Sequence, residues 1–148
     1  MQHNRKSIKT VDPASLQAML ALEAYGKTCP LQPLYKELIK IRASQINKCA
    51  YCLEMHTIEA RAAGETEQRM HALAAWEESP YFTEAERAVL SFAEEVTKIA
   101  EHGVSDAVFQ NMQAHYTDNQ IAQIIILINQ INFWNRIAVS TKQLYQAP

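Results

Sequence analysis

Cys49, Cys52 and His56 stand three and four residues apart in the segment Cys49-Ala50-Tyr51-Cys52-Leu53-Glu54-Met55-His56. On a helix that turns about 100° per residue, Cys52 falls roughly 60° to one side of Cys49 and His56 roughly 20° to the same side, so all three share a face. A histidine one turn beyond a cysteine can take the thiol proton, directly or through one water, and leave the nucleophilic thiolate. The two cysteines can also bond to each other, but ideal helical Cβ positions are about an ångström too far apart for a relaxed bridge. Such strain raises the reduction potential, which suits a disulfide made and broken in each cycle rather than a staple. Asn47 is the expected N-cap, placing Cys49 in the first turn, where the helix dipole favours a thiolate as well. Dipole and histidine therefore nominate different cysteines. We assign attack to Cys52 and resolution to Cys49, because a paired base can both remove a proton and return it.

Other chemistries fit less well. A C-x-x-C pair with a histidine also suggests zinc, but structural zinc sites close with four ligands and a fourth is missing nearby unless Cys29 swings in. No metal is therefore expected. Haem attachment needs a histidine directly after the second cysteine, where Leu53 stands. The bland alternative is two half-buried cysteines and a surface histidine. His3, His71, His102 and His115 have no partner at ligand spacing, and Cys29, between Thr28 and Pro30, reads as a bystander.

The elements that must carry this face read as helices. Asp12-Pro13 is a cap followed by proline at the first helical position, and helix one runs to about Tyr25. A loop over 26–33 precedes a second helix that weakens at Asn47, and a third runs from Lys48 to about Ala63, closed by Gly64. A shorter fourth spans Thr66 to about Trp76. Thr83 and Glu86 form a capping box that opens the cleanest helix, with Ala85, Ala88, Val89, Phe92, Ala93, Val96 and Ile99 on one stripe as far as Gly103. Ser105 caps a sixth, and Thr117 with Gln120 boxes the last. The run Ile124 to Ile128 looks strand-like alone, but Ile121, Ile124, Ile125, Ile128, Ile131 and Ile137 keep a 3.6-residue period too long for a strand. The expectation is an all-α, single-domain bundle of about seven helices over 1–148, with 1–11 a flexible segment.

Composition limits the function classes. The 148 residues carry 48% hydrophobic and 20% charged residues with three glycines, which excludes a disordered tail and disfavours a turn-rich β fold. A net charge of −2 gives no electrostatic reason to expect nucleic acid. The apolar region from Ile121 to Val139 is interrupted by Gln123, Asn129, Gln130, Asn132, Asn135 and Arg136, so no membrane span is expected. With no signal peptide and an odd cysteine count, the expected location is cytoplasmic. The Ile-rich last helix, apolar around much of its circumference, predicts a homo-oligomer, which sedimentation would show.

The stretch Glu37-Leu38-Ile39-Lys40-Ile41-Arg42-Ala43-Ser44-Gln45-Ile46-Asn47, followed by C-x-x-C-x-x-x-H, resembles the core of the alkylhydroperoxidase D family within the carboxymuconolactone decarboxylase superfamily. The resemblance continues through His56-Thr57, Ala60-Arg61, Ala63-Gly64-Glu65-Thr66 and Trp134-Asn135-Arg136. It implies an all-helical, usually oligomeric peroxidase that cycles a disulfide between its cysteines. By this correspondence Cys52 is the peroxide-attacking thiol, Cys49 its resolving partner, His56 the proton shuttle and Glu37 the carboxylate behind it. One departure is Tyr51, where the well-studied peroxidase branch has a second histidine. The decarboxylase branch generally lacks the cysteine pair, so Cys49 and Cys52 point to thiol chemistry. The expected function is a thiol-dependent peroxidase or disulfide oxidoreductase that takes a small-molecule peroxide and an external dithiol and requires no cofactor. The alternatives are a non-catalytic redox sensor or helical interaction module, and less favoured, a carboxymuconolactone decarboxylase-type enzyme.

Overall fold

Most helices begin where the sequence supplies a side-chain acceptor for the free N–H groups of a first turn. The computed structural model describes residues 5–146 and contains no strand among them. In chain order the helices are α1 (Ile8–Val11), α2 (Pro13–Thr28), α3 (Pro33–Ile46), α4 (Ala50–Ala62), α5 (Glu67–Ala72) with a 3-10 turn (Leu73–Ala75), α6 (Glu84–Thr97), α7 (Ile99–His102), α8 (Asp106–His115) and α9 (Asp118–Thr141). Asp12, Thr66 and Ser105 cap α2, α5 and α8 as their sequences predict. Thr83 with Glu86 and Thr117 with Gln120 form complete capping boxes on α6 and α9, each cap contributing about 1 kcal/mol. Gly64 and Gly103, at φ +99° and +75°, end α4 and α7 in backbone that other residues adopt only with strain.

Seven helical segments are those read from the sequence, and two single turns are not. One is α1, inside the segment expected to be flexible, with Arg5 donating to the Ser140 carbonyl at 2.7 Å. The other is α7, which splits the helix expected to run unbroken from Thr83 to Gly103. The split follows Thr97, whose hydroxyl accepts from Asn132 at 3.0 Å, and beyond it Ile99 is exposed rather than on the apolar stripe. Residues 1–4 and 147–148, His3 among them, lie outside the described residues.

α3 packs against α4, α6 and α9. Its Ile39 and Ala43 join Phe92, Ile124 and Ile128 in one apolar cluster, while Leu38 and Ile41 join Leu73, Trp76, Phe82 and Leu90 in another. Burying a side chain of this size contributes about 1.5–3 kcal/mol. The isoleucine stripe of α9 is core at Ile121, Ile124, Ile128 and Ile131, with Phe133 and Val139 of the same helix exposed. No helix among the described residues is long and apolar enough to cross a membrane.

Candidate active site

The turn between α3 and α4 sets the site. Asn47 is not the N-cap of α4, as expected, but the C-cap of α3, its N–H bonded to the Ala43 carbonyl at 2.9 Å. Lys48 then takes a left-handed conformation at φ +54°, and the chain reverses. The Asn47 side chain cannot cap α4 because it is spent elsewhere, donating to Asn132 Oδ1 and Asn135 Oδ1 at 2.8 Å each. Asn135 in turn donates to Ser44 Oγ at 3.0 Å, and Asn132 to Thr97 Oγ1 and the Ile128 carbonyl. This amide cluster fastens the turn to α9. Asn135 therefore pins the last helix to its neighbour, while Arg136 makes no hydrogen bond or ion pair among the described residues.

Cys49 is itself the N-cap of α4, with extended backbone and Sγ accepting the Cys52 N–H at 3.3 Å. Its sulfur thus receives the helix-end N–H directly. Cys49 caps the helix rather than lying inside its first turn; the Cα atoms are 5.4 Å apart, within the ordinary disulfide range, and the two cysteines are bonded. Both are buried, yet Cys52 lines a cavity of about 670 Å³ and Cys49 does not. Leu16 and Leu20 of α2 and Leu127, Trp134 and Ile137 of α9 give that cavity an apolar wall.

The reversal brings α3 back along α4 and places Glu37 against His56. His56 Nδ1 lies 2.8 Å from Glu59 Oε2 and 3.2 Å from Glu37 Oε2. One ring N–H cannot serve both: it satisfies Glu59 and leaves the buried Glu37 Oε2 without a hydrogen-bond partner. The other Glu37 oxygen accepts from Lys40 Nζ at 2.8 Å. With Nδ1 engaged by carboxylates, Nε2 is the nitrogen free to exchange a proton. Burial alone lowers the pKa of His56, but the Glu37 and Glu59 carboxylates outweigh it and hold the ring above its ordinary value. The same contact with His56 holds the half-exposed Glu59 below the usual carboxylate value.

Of the four residues singled out from the sequence, Glu37 is paired with His56 and Cys49 is bonded to Cys52, and Cys52, His56 and Glu37 line the same cavity. Glu59 was missed, although its position three residues after His56 on one helix was a readable signal. Tyr51 also lines the cavity, its ring packed edge-on against Tyr145 with centroids 5.7 Å apart, so this position supplies wall where a second histidine stands in the peroxidase branch. Cys29 is a buried free thiol just past the end of α2. Among the described residues, the side chains close enough to hold a metal are Glu37, His56 and Glu59, whose ligand atoms lie within 4.8 Å of one another.

Comparison with known proteins bears on family and fold. A sequence model described as the Carboxymuconolactone decarboxylase family matches residues 13–95. The uncharacterized protein YdfG of Bacillus subtilis is 40% identical over 136 residues, 92% of each chain. The crystal structure of an Agrobacterium tumefaciens protein of unknown function, a candidate antioxidant defence protein AhpD, superposes with a TM-score of 0.95 at 40% identity, covering 99% of this chain and all of that one. A peroxidase-related protein from Silicibacter is 26% identical with a TM-score of 0.79, covering 92% of this chain and 72% of its own.

Proposed function

For a chain that belongs to the carboxymuconolactone decarboxylase family and has an AhpD-like fold, we propose the activity of a thiol-dependent peroxidase that cycles the Cys49–Cys52 disulfide. The observation that carries this reading is the division of labour at the cavity: Cys52 lines it together with His56 and Glu37, and Cys49 stands behind. In the reduced protein the Cys52 thiolate attacks the outer oxygen of a hydroperoxide. The O–O bond breaks, the departing alkoxide takes a proton relayed by His56, and Cys52 becomes a sulfenic acid. The Cys49 thiolate, favoured by its place at the helix N-terminus, then attacks the Cys52 sulfur. The S–S bond forms and the hydroxyl leaves as water after taking a proton. An external dithiol returns two electrons and two protons, so each turn converts hydroperoxide and dithiol into alcohol, water and a disulfide. Glu37 and Glu59 act through the ring, stabilising its charged form. Regeneration by a dithiol suits a reducing, cytoplasmic setting.

The test is steady peroxide consumption by the purified protein with a dithiol donor, together with peptide mapping under non-reducing conditions. We expect turnover that Cys52→Ser abolishes, and a Cys49–Cys52 bridge with Cys29 left free. One bridge formed per chain without turnover would instead make the protein a redox sensor. A dominant bridge to Cys29 would discard the assignment of the thiols.

A further inference from the structure

We propose that Glu37, His56 and Glu59 form a binding site for a divalent cation of the zinc, manganese and iron class, with one carboxylate oxygen from each glutamate and His56 Nδ1 as the protein ligands. The three ligand atoms lie within 4.8 Å of one another. An ion about 2.0–2.2 Å from each ligand requires ligand atoms roughly 3–3.5 Å apart. The Glu37–His56 edge already meets this at 3.2 Å, the Glu59–His56 edge at 2.8 Å has to widen, and the two carboxylate oxygens, within 4.8 Å of each other, have to settle at the same spacing. Glu59 is 50% exposed and can make that movement, whereas Glu37 is held.

A second observation points to a ligand. Glu37 Oε2 is buried without a hydrogen-bond partner on a residue only 9% exposed, and it is aimed at an imidazole nitrogen already committed to Glu59. At 3.2 Å from His56 Nδ1 this oxygen has an ion-pair contact but no directed hydrogen bond, and a cation between the three groups supplies the closer partner that it lacks. Lys40 fixes the opposite oxygen of Glu37 at 2.8 Å, the kind of outer contact that orients a carboxylate toward a metal. The cavity lies on the open side and has room for water to complete the coordination. Two carboxylates with one imidazole suit zinc, manganese or iron(II). Calcium calls for more oxygens and copper(I) for sulfur. The cysteines take no part, and while they are joined in the disulfide they offer no thiolate.

The site can be examined in the oxidised protein, where no turnover occurs, so its fate is independent of the peroxidase reading. Disulfide-bonded protein stripped with a chelator is titrated calorimetrically with Zn2+. One ion per chain is expected, with binding at least about tenfold weaker in Glu37→Gln and in Glu59→Gln, by the usual sensitivity of metal sites to a lost contact. Glu54→Gln, an exposed neighbour on α4, and Cys29→Ser should bind as the wild type does. In the wild type, Zn2+ should move the 15N resonance of His56 Nδ1 as a ligated nitrogen, a readout that needs no variant to fold. The proposal is overturned by an unmoved Nδ1 resonance, by affinity indifferent to both glutamates, by loss of binding in Cys29→Ser, or by binding that appears only after the disulfide is reduced.

Discussion

Two polar clusters flank the α3–α4 turn, and they are built on opposite terms. On one side Ser44, Asn47, Thr97, Asn132 and Asn135 join α3, the turn, α6 and α9 through hydrogen bonds of 2.8–3.0 Å, and none of their atoms is both buried and unpartnered. On the other side Glu37 and Glu59 crowd two carboxylate oxygens around one ring N–H of His56 and leave one of them over. The saturated cluster is buried at Ser44, Thr97, Asn132 and Asn135, with Asn47 half-buried. The unsaturated one opens on the cavity, where Gln130 also presents a buried oxygen without a partner. Full pairing gives rigidity, because any motion breaks bonds, whereas a surplus acceptor is kept where a proton, ion or substrate must come and go. The first cluster thus holds the turn that carries Cys49, and the second lines the cavity it shares with Cys52.

The largest effect should come from the saturated side. Asn135→Ala removes one of the two acceptors of the half-buried Asn47 amide and the donor to the buried Ser44 hydroxyl, and should destabilise the protein by about 2–4 kcal/mol, at about 1–3 kcal/mol per hydrogen-bonding group left unpaired. Urea denaturation measures it. A loss below about 1 kcal/mol would mean the amides are replaceable, and would break the contrast between the two clusters.

Glu37→Gln should act in the opposite way, with less effect on stability than Asn135→Ala and more on thiol reactivity. Without the carboxylate the imidazolium of His56 is less favoured, and under the proposed relay a Cys52 thiolate on the same cavity loses support. Alkylation of Cys52 in reduced, chelator-treated protein at pH 7 should slow by about tenfold, the equivalent of 1.4 kcal/mol. Glu54→Gln, on the same helix as the thiols but exposed, serves as the charge control and should leave the rate unchanged. Identical rates for wild type and Glu37→Gln would leave Glu37 a structural partner of Lys40 alone.

Different parts of this arrangement were legible in the sequence for different reasons. Cys49, Cys52 and His56 could be found from spacing because all three lie on one short segment, where periodicity speaks directly to geometry. Glu37, on another helix, could not be placed by periodicity and came from the family resemblance alone. The cap was misread because Asn47 fits two roles: its type favours an N-cap, but the buried acceptors Asn132 and Asn135, more than eighty residues away, claim its side chain. The same kind of distant claim, Asn132 on Thr97, coincides with the end of α6 that the local pattern did not show. Capping boxes were read correctly because donor and acceptor sit three residues apart. What local sequence cannot show is the pairing of polar groups brought together by the fold.

The smallest effect separates the clusters by pH. His56 is held above its ordinary value of 6.5, so its stabilising contribution is complete below that value and is lost as pH rises through the higher folded one. Glu59 is held below its ordinary value of 4.5, so its contribution is complete above 4.5 and is lost as pH falls through the lower folded one. Both conditions hold between about 4.5 and 6.5, and in that window the ion pair contributes most. Because Glu59 is half exposed, solvent screening keeps the contribution under about 1 kcal/mol. In metal-free protein, Glu59→Gln should therefore cost more stability at pH 5.5 than at pH 8.5 as measured by urea denaturation. The Asn135→Ala penalty, which involves no titrating group, should be the same at both. A Glu59→Gln penalty that grows toward pH 8.5 would show that the contact does not depend on a charged ring, and would place Glu59 with the amides as a neutral tether.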